Sequence, residues 1–173
     1  MLFRKVGEKG KNMTEEIGNE GEIIAFISAS FDNGAQKPIK WFIEIAKSLG
    51  IKTIWLKEKY ETRPIEDKIK DNLKNCNAFI QILTEDIERE SKDRGWLGNE
   101  VGWADSLGIT NFALFVEKGV KASGFIRGKT DSLSFERNAL DEIAPKVIEY
   151  LRDLKRRTSE RINVPWCREI EPR

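Results

Sequence analysis

The run Ile23-Ile24-Ala25-Phe26-Ile27, followed by Ser28-Ala29-Ser30-Phe31-Asp32-Asn33-Gly34, decides the fold. An unbroken apolar run, without polar alternation, is what a strand covered on both faces requires. The polar segment after it, ending in glycine, reads as a turn. Beyond the turn, Pro38 suits the first turn of a helix. Ile39, Phe42, Ile43, Ala46 and Leu49 then recur at spacings of three and four, and Gly50 closes the helix.

The same alternation continues outward. A second strand is expected from Lys52 to Leu56, a charged loop from Lys57 to Arg63, and a helix opened by Pro64 that buries Ile65, Ile69, Leu73 and Cys76. Ala78-Phe79-Ile80-Gln81-Ile82-Leu83 reads as a third strand. A strongly charged loop leads from it to a helix from Trp96 through Leu107, stopped by Gly108. A fourth strand from Asn111 to Val116 and a short fifth from Ser132 to Phe135 follow. Leu140, Ile143, Val147, Leu151 and Leu154 mark a long last helix. Strands alternating with helices predict an α/β domain built on a largely parallel sheet, with five strands and about five helices.

The chain has 173 residues, enough for one domain with a sizeable core. Residues 1–21 read as a polar N-terminal tail and 22–156 as the domain. Residues 157–173 read as a tail or the start of a further module. With 30 Lys and Arg against 29 Asp and Glu, the net charge of +1 advertises neither a nucleic-acid nor a membrane partner. No stretch approaches the apolar length of a membrane helix and no signal-peptide core is visible. Cys76 and Cys167 match no zinc or redox spacing, so a cytoplasmic location is expected. The absence of histidine removes every His-dependent triad and every His-ligated metal site, leaving catalysis to carboxylates, Lys, Ser or backbone. No metal site and no bound cofactor are expected.

In an open parallel sheet, ligands bind where the strands end, which puts the loops after Ile27, Leu56, Leu83 and Val116 around the site. Within Trp96-Leu97-Gly98-Asn99-Glu100-Val101-Gly102-Trp103-Ala104, a helical reading sets Glu100 on one face with Trp96, Trp103 and Leu107. A carboxylate on an apolar stripe asks for a reason. Gly98 and Gly102, each unfavourable inside a helix, suggest close approach of a ligand or another backbone.

This segment resembles the Toll/interleukin-1 receptor (TIR) domain, in its prokaryotic, NAD-cleaving branch. There a Trp-x-x-x-Glu motif opens a helix after the third strand; Trp96 and Glu100 occupy its two positions. Phe26-Ile27-Ser28-Ala29-Ser30, Asp32, Phe79-Ile80-Gln81-Ile82-Leu83 and Ser91 extend the resemblance over roughly residues 22–156. It implies a flavodoxin-like three-layer sandwich, a five-stranded parallel sheet with helices on both faces. It also implies hydrolysis, or transfer with cyclisation, at the nicotinamide–ribose bond of NAD, which is substrate rather than cofactor. Glu100 is then the catalytic carboxylate beside an oxocarbenium-like ribose, and Trp96 packs beneath it. Ser28, Ser30, Phe31 and Asp32, after the first strand, are candidates to contact ribose or nicotinamide. Trp55 and Lys57, at the end of the second, are candidates to contact base and phosphates. Self-association through TIR–TIR contacts and a role in prokaryotic antiviral defence come with the resemblance. The loop from Lys57 to Pro64 departs from the family's assembly loop, since Arg63-Pro64 stands where Pro-Gly is common.

Other readings compete. Glu100-Val101-Gly102-Trp103-Ala104 with Leu107-Gly108 is also similar to an element of the nucleoside 2-deoxyribosyltransferase-like family, whose Glu attacks an anomeric carbon. A non-enzymatic TIR-type adaptor would leave Glu100 a structural relic. Gly124-Phe125-Ile126-Arg127-Gly128-Lys129-Thr130 looks like a phosphate loop, but its glycines stand one residue too close together for a Walker A.

Overall fold

A computed structural model describes residues 21–29, 34–56, 64–85, 91–121 and 128–162, with the backbone alone for 91–96. The elements are β1 (Ile24–Ala29), α1 (Gln36–Ser48), β2 (Lys52–Ile54), α2 (Ile65–Leu73), β3 (Ala78–Leu83), α3 (Ser91–Ser106), β4 (Phe112–Glu117), β5 (Ser132–Phe135) and α4 (Leu140–Ile162). The strands form one sheet in the order β2-β1-β3-β4-β5, and every pairing is parallel. This is the flavodoxin-like order. Helices cover both faces, giving the expected three-layer sandwich.

Strand parity sorts the side chains into two cores. Ala25, Ile27 and Ala29 of β1, Ile80 and Ile82 of β3, and Ala113 and Phe115 of β4 meet α1 and α4 on one face. Phe26, Phe79, Leu83, Phe112 and Leu114 meet Ile69 and Leu73 of α2 and Leu97, Val101 and Ala104 of α3 on the other. Phe26, Phe79 and Phe112 share one row of the register. Their rings follow one another at centroid distances of 5.9 and 5.5 Å. On the opposite face Phe42 of α1 stacks on Phe115 at 4.4 Å.

Gly50 and Gly108 end α1 and α3 with φ of +76° and +80°, conformations that exclude most side chains. Pro64, with φ −54° and ψ 138°, stands immediately before α2.

The structure differs from the sequence reading at element ends. β2 stops at Ile54 rather than Leu56, because it is an edge strand paired only with β1. β1 and β4 each run past the expected ends, to Ala29 and Glu117, as their neighbours in the ladder continue to pair. α3 begins at Ser91, not Trp96; Ser91-Lys92-Asp93-Arg94 is polar and carries no apolar period to read. Four helices are present among the described residues. α4 continues to Ile162, six residues past the expected domain end at 156. Thr158 is buried there and its hydroxyl donates to the Leu154 carbonyl at 2.8 Å. Arg156 and Glu160, like Asp153 and Arg157, pair one turn apart on the outer face. Among the described residues no helix is long and apolar enough to cross a membrane.

Candidate functional site

Glu100 lies on the inward face of α3, one turn after Leu97 and one before Ala104, and is only 5% exposed. Ser28 has the parity of Phe26, and Gln81 that of Phe79, so both point to the same α3-covered face. They are directly opposite each other in the β1–β3 register. Both are buried in a face that is otherwise apolar.

Three buried polar side chains in one apolar layer are tolerated only if they satisfy one another. They do. The Ser28 hydroxyl donates to Glu100 Oε2. The Gln81 amide nitrogen donates to Ser28 Oγ at 3.3 Å and to the Leu97 carbonyl of α3 at 3.2 Å. A carboxylate is thus fixed on the sheet by a hydroxyl from β1, and the helix that carries it is tied to β3.

The edge formed by the carboxyl ends of the strands holds a second buried carboxylate on the opposite face. Glu117, the last residue of β4, takes two hydrogen bonds of 2.8 Å from Arg137. It also accepts from the Glu85 backbone N–H at 2.9 Å. Arg137 in turn donates to the Gly34 carbonyl at 3.2 Å, just ahead of α1. This bidentate pair ties together the segments after β3, β4 and β5 and the start of α1. Thr84 is fully buried beside it, its hydroxyl without a hydrogen-bond partner among the described residues.

Of the residues singled out in the sequence, the structure brings Ser28 and Glu100 into contact. Ser28 spends its hydroxyl hydrogen on Glu100. Ser30, Phe31, Asp32 and Lys57 lie outside the described residues, as does the Trp96 side chain; the Trp96 backbone is in α3. Trp55 is not brought to Glu100: it packs into the cluster against α1 and α4, across the sheet. The expected common face of Glu100, Trp103 and Leu107 is corrected as well. Leu107 is 43% exposed, whereas Leu97, Val101 and Ala104 are the buried neighbours of Glu100. Trp103 is half-buried and carries the Lys70 ammonium 4.6 Å above its ring.

The glycine reading also changes. A Cβ at Gly98 or at Gly102 would meet nothing within 4 Å, so no part of the described chain approaches them. Gly98→Ala and Gly102→Ala are therefore expected to stabilise, each by about 0.5–1 kcal/mol. A rise in melting temperature of about 2 °C per substitution should be measurable by calorimetry. A fall would mean that something packs on this face.

Gly128, Lys129 and Thr130 lie at the opposite, amino-terminal edge of the sheet. With Tyr150, Asp153 and Arg157 they line a cavity of about 480 Å³, and Lys129 is paired with Asp105. Gly124, Phe125, Ile126 and Arg127 of the segment resembling a phosphate loop lie outside the described residues.

Among the described residues no group of three or more metal-ligating acids or cysteines converges. Burial pushes the Cys76 thiol up to about 11, and the thiol donates to the Asn72 carbonyl at 3.2 Å. Its alkylation by iodoacetamide at pH 8 should be about a hundredfold slower in the folded than in the urea-unfolded chain, because the thiolate is scarce. Mass spectrometry of the Cys76 peptide reads this directly, and equal rates would show the thiol to be accessible and ionised.

Among the described residues, Gln81 joins Ser28 and Glu100 without having been singled out in the sequence. Its signal was present: an amide inside a continuous apolar strand needs a partner as much as a carboxylate on an apolar helix stripe does.

No protein-family model matches the chain, and no curated protein matches it. Among solved structures, the fold is similar to that of the CMP N-glycosidase of Clostridium botulinum, with a TM-score of 0.50 and 19% sequence identity. The likeness covers 73% of this chain and 99% of that one. At such identity it establishes a common architecture; function has to be argued from the site.

Proposed function

We propose that this chain is an N-glycosyl hydrolase that cleaves the bond between ribose C1′ and the base of a nucleotide, with Glu100 as the carboxylate that faces C1′. The observation that carries the reading is the burial of Glu100 against Ser28 on the sheet, in a chain without histidine. Breaking the C1′–N bond leaves positive charge spread over C1′ and the ring oxygen. A fixed carboxylate in a dry site stabilises that charge far more than it would in water. The base departs with the bonding electron pair, and a water oxygen takes its place at C1′, losing a proton.

A nucleoside 5′-monophosphate is the favoured substrate class, supported by the shared architecture with a CMP N-glycosidase. NAD is the second reading, supported by the Trp96-x-x-x-Glu100 spacing in a helix after β3 and by its resemblance to NAD-cleaving TIR domains. The two share bond and carboxylate and differ in the leaving group. Nicotinamide is cationic in NAD and leaves without a proton. A pyrimidine must be protonated as it leaves, which links its release to an acid.

The test is incubation of the purified full chain with CMP, the other nucleoside monophosphates and NAD in parallel, with free base separated by chromatography. Release of a nucleobase from a monophosphate, with a rate that falls toward high pH, supports the first reading. Release of nicotinamide alone supports the second. Release of no base from any of them, over a dilution series reaching high protein concentration, overturns both.

A further inference from the structure

We propose that Gln81 is a positioning residue of this site, committing the Ser28 hydroxyl hydrogen to Glu100 and fixing the helix that carries Glu100. The proposal rests on the reading of Glu100 as the reacting carboxylate. The orientation of the amide is settled by its partners. The Leu97 carbonyl can only accept, so the amide nitrogen, not its oxygen, must face it at 3.2 Å. The same nitrogen reaches Ser28 Oγ at 3.3 Å, and its second hydrogen is directed there. Ser28 Oγ is therefore an acceptor toward Gln81, and its own single hydrogen is left for Glu100 Oε2. Donation runs one way, from β3 through β1 to the carboxylate. The parallel register makes this possible by setting Ser28 and Gln81 side by side under α3.

Two consequences separate this role from plain packing. Gln81→Leu keeps the strand apolar and close to its volume, so the chain should fold. Its Ser28 hydroxyl, however, is free to rotate away from Glu100, and α3 loses its tie to β3. Turnover should fall about 10- to 100-fold with KM changed less than about threefold, as expected when a reacting group is displaced without loss of binding contacts. In a Ser28→Ala background the same substitution should cost much less, because the group through which Gln81 acts is gone.

The experiment is a double-mutant cycle on kcat and KM with wild type, Gln81→Leu, Ser28→Ala and the double variant. Melting temperatures and a crystal structure of Gln81→Leu accompany it. A fall in kcat that shrinks in the Ser28→Ala background, with the Ser28–Glu100 contact opened in the crystal, is the expected result. An equal fall in both backgrounds, or an unchanged kcat, overturns the proposal and leaves Gln81 a structural tie. If wild type itself releases no base, the reading of Glu100 fails separately. The crystal structure then decides the geometric claim, an open contact supporting it and an intact one overturning it.

Discussion

Glu100→Gln is expected to lower base release by about a thousandfold or more while leaving the chain folded. Glutamine has the shape of glutamate and can still accept the hydrogen bond from Ser28, so the change removes charge and little else. What is lost is the attraction between a fixed anion and the positive ribose in the transition state. Glu100→Asp draws the carboxylate back by one methylene and breaks its contact with Ser28, and should retain a small fraction of the rate. Steady-state kinetics on both variants, with melting temperatures alongside, checks this. A Glu100→Gln variant within tenfold of wild type would mean that Glu100 is a buried structural carboxylate.

Arg137→Ala carries the largest expected effect on stability. Glu117 is 6% exposed at the end of β4, and Arg137 gives it two hydrogen bonds. Removing the guanidinium leaves an uncompensated buried carboxylate, a change that costs about 3–5 kcal/mol. The Gly34 carbonyl loses its donor at the same time. For a chain of this length the melting temperature should drop by about 6–20 °C. Replacing both partners, Glu117→Leu with Arg137→Met, should recover much of the loss, since apolar side chains of similar size remove the stranded charge. Thermal unfolding of the single and double variants decides it. A double variant no more stable than Arg137→Ala would show that the pair contributes through its ties to Glu85 and Gly34 rather than through charge compensation.

The sheet was legible because a fully buried parallel strand writes itself as an unbroken apolar run. Ala78–Leu83 is such a run and is β3 without change. Helix stops at Gly50 and Gly108 were legible for a comparable reason, since a positive φ selects glycine. Helix ends marked only by polar residues were not. Ser91–Arg94 opens α3 without an apolar residue, and Arg157–Ile162 extends α4 through a segment that is polar but for the exposed Ile162 and in which Thr158 alone is buried.

Glu100 was legible as a carboxylate out of place, but the identity of its partner was not. That depends on which strand face α3 covers, and on a register that sets Ser28 beside Gln81. Parity alone would have placed Trp55 on the sheet face opposite Glu100. Ile54 is paired with Phe26, on the α3 side of the sheet, so the next residue faces the other way.

The most direct measurement is proton NMR of the full chain mixed with CMP or with NAD, for wild type and Glu100→Gln side by side. Wild type is expected to give free base and, in equal amount, the ribose-containing product from one of the two substrates, and Glu100→Gln neither product. Equal product from both proteins, or none from wild type, would contradict this.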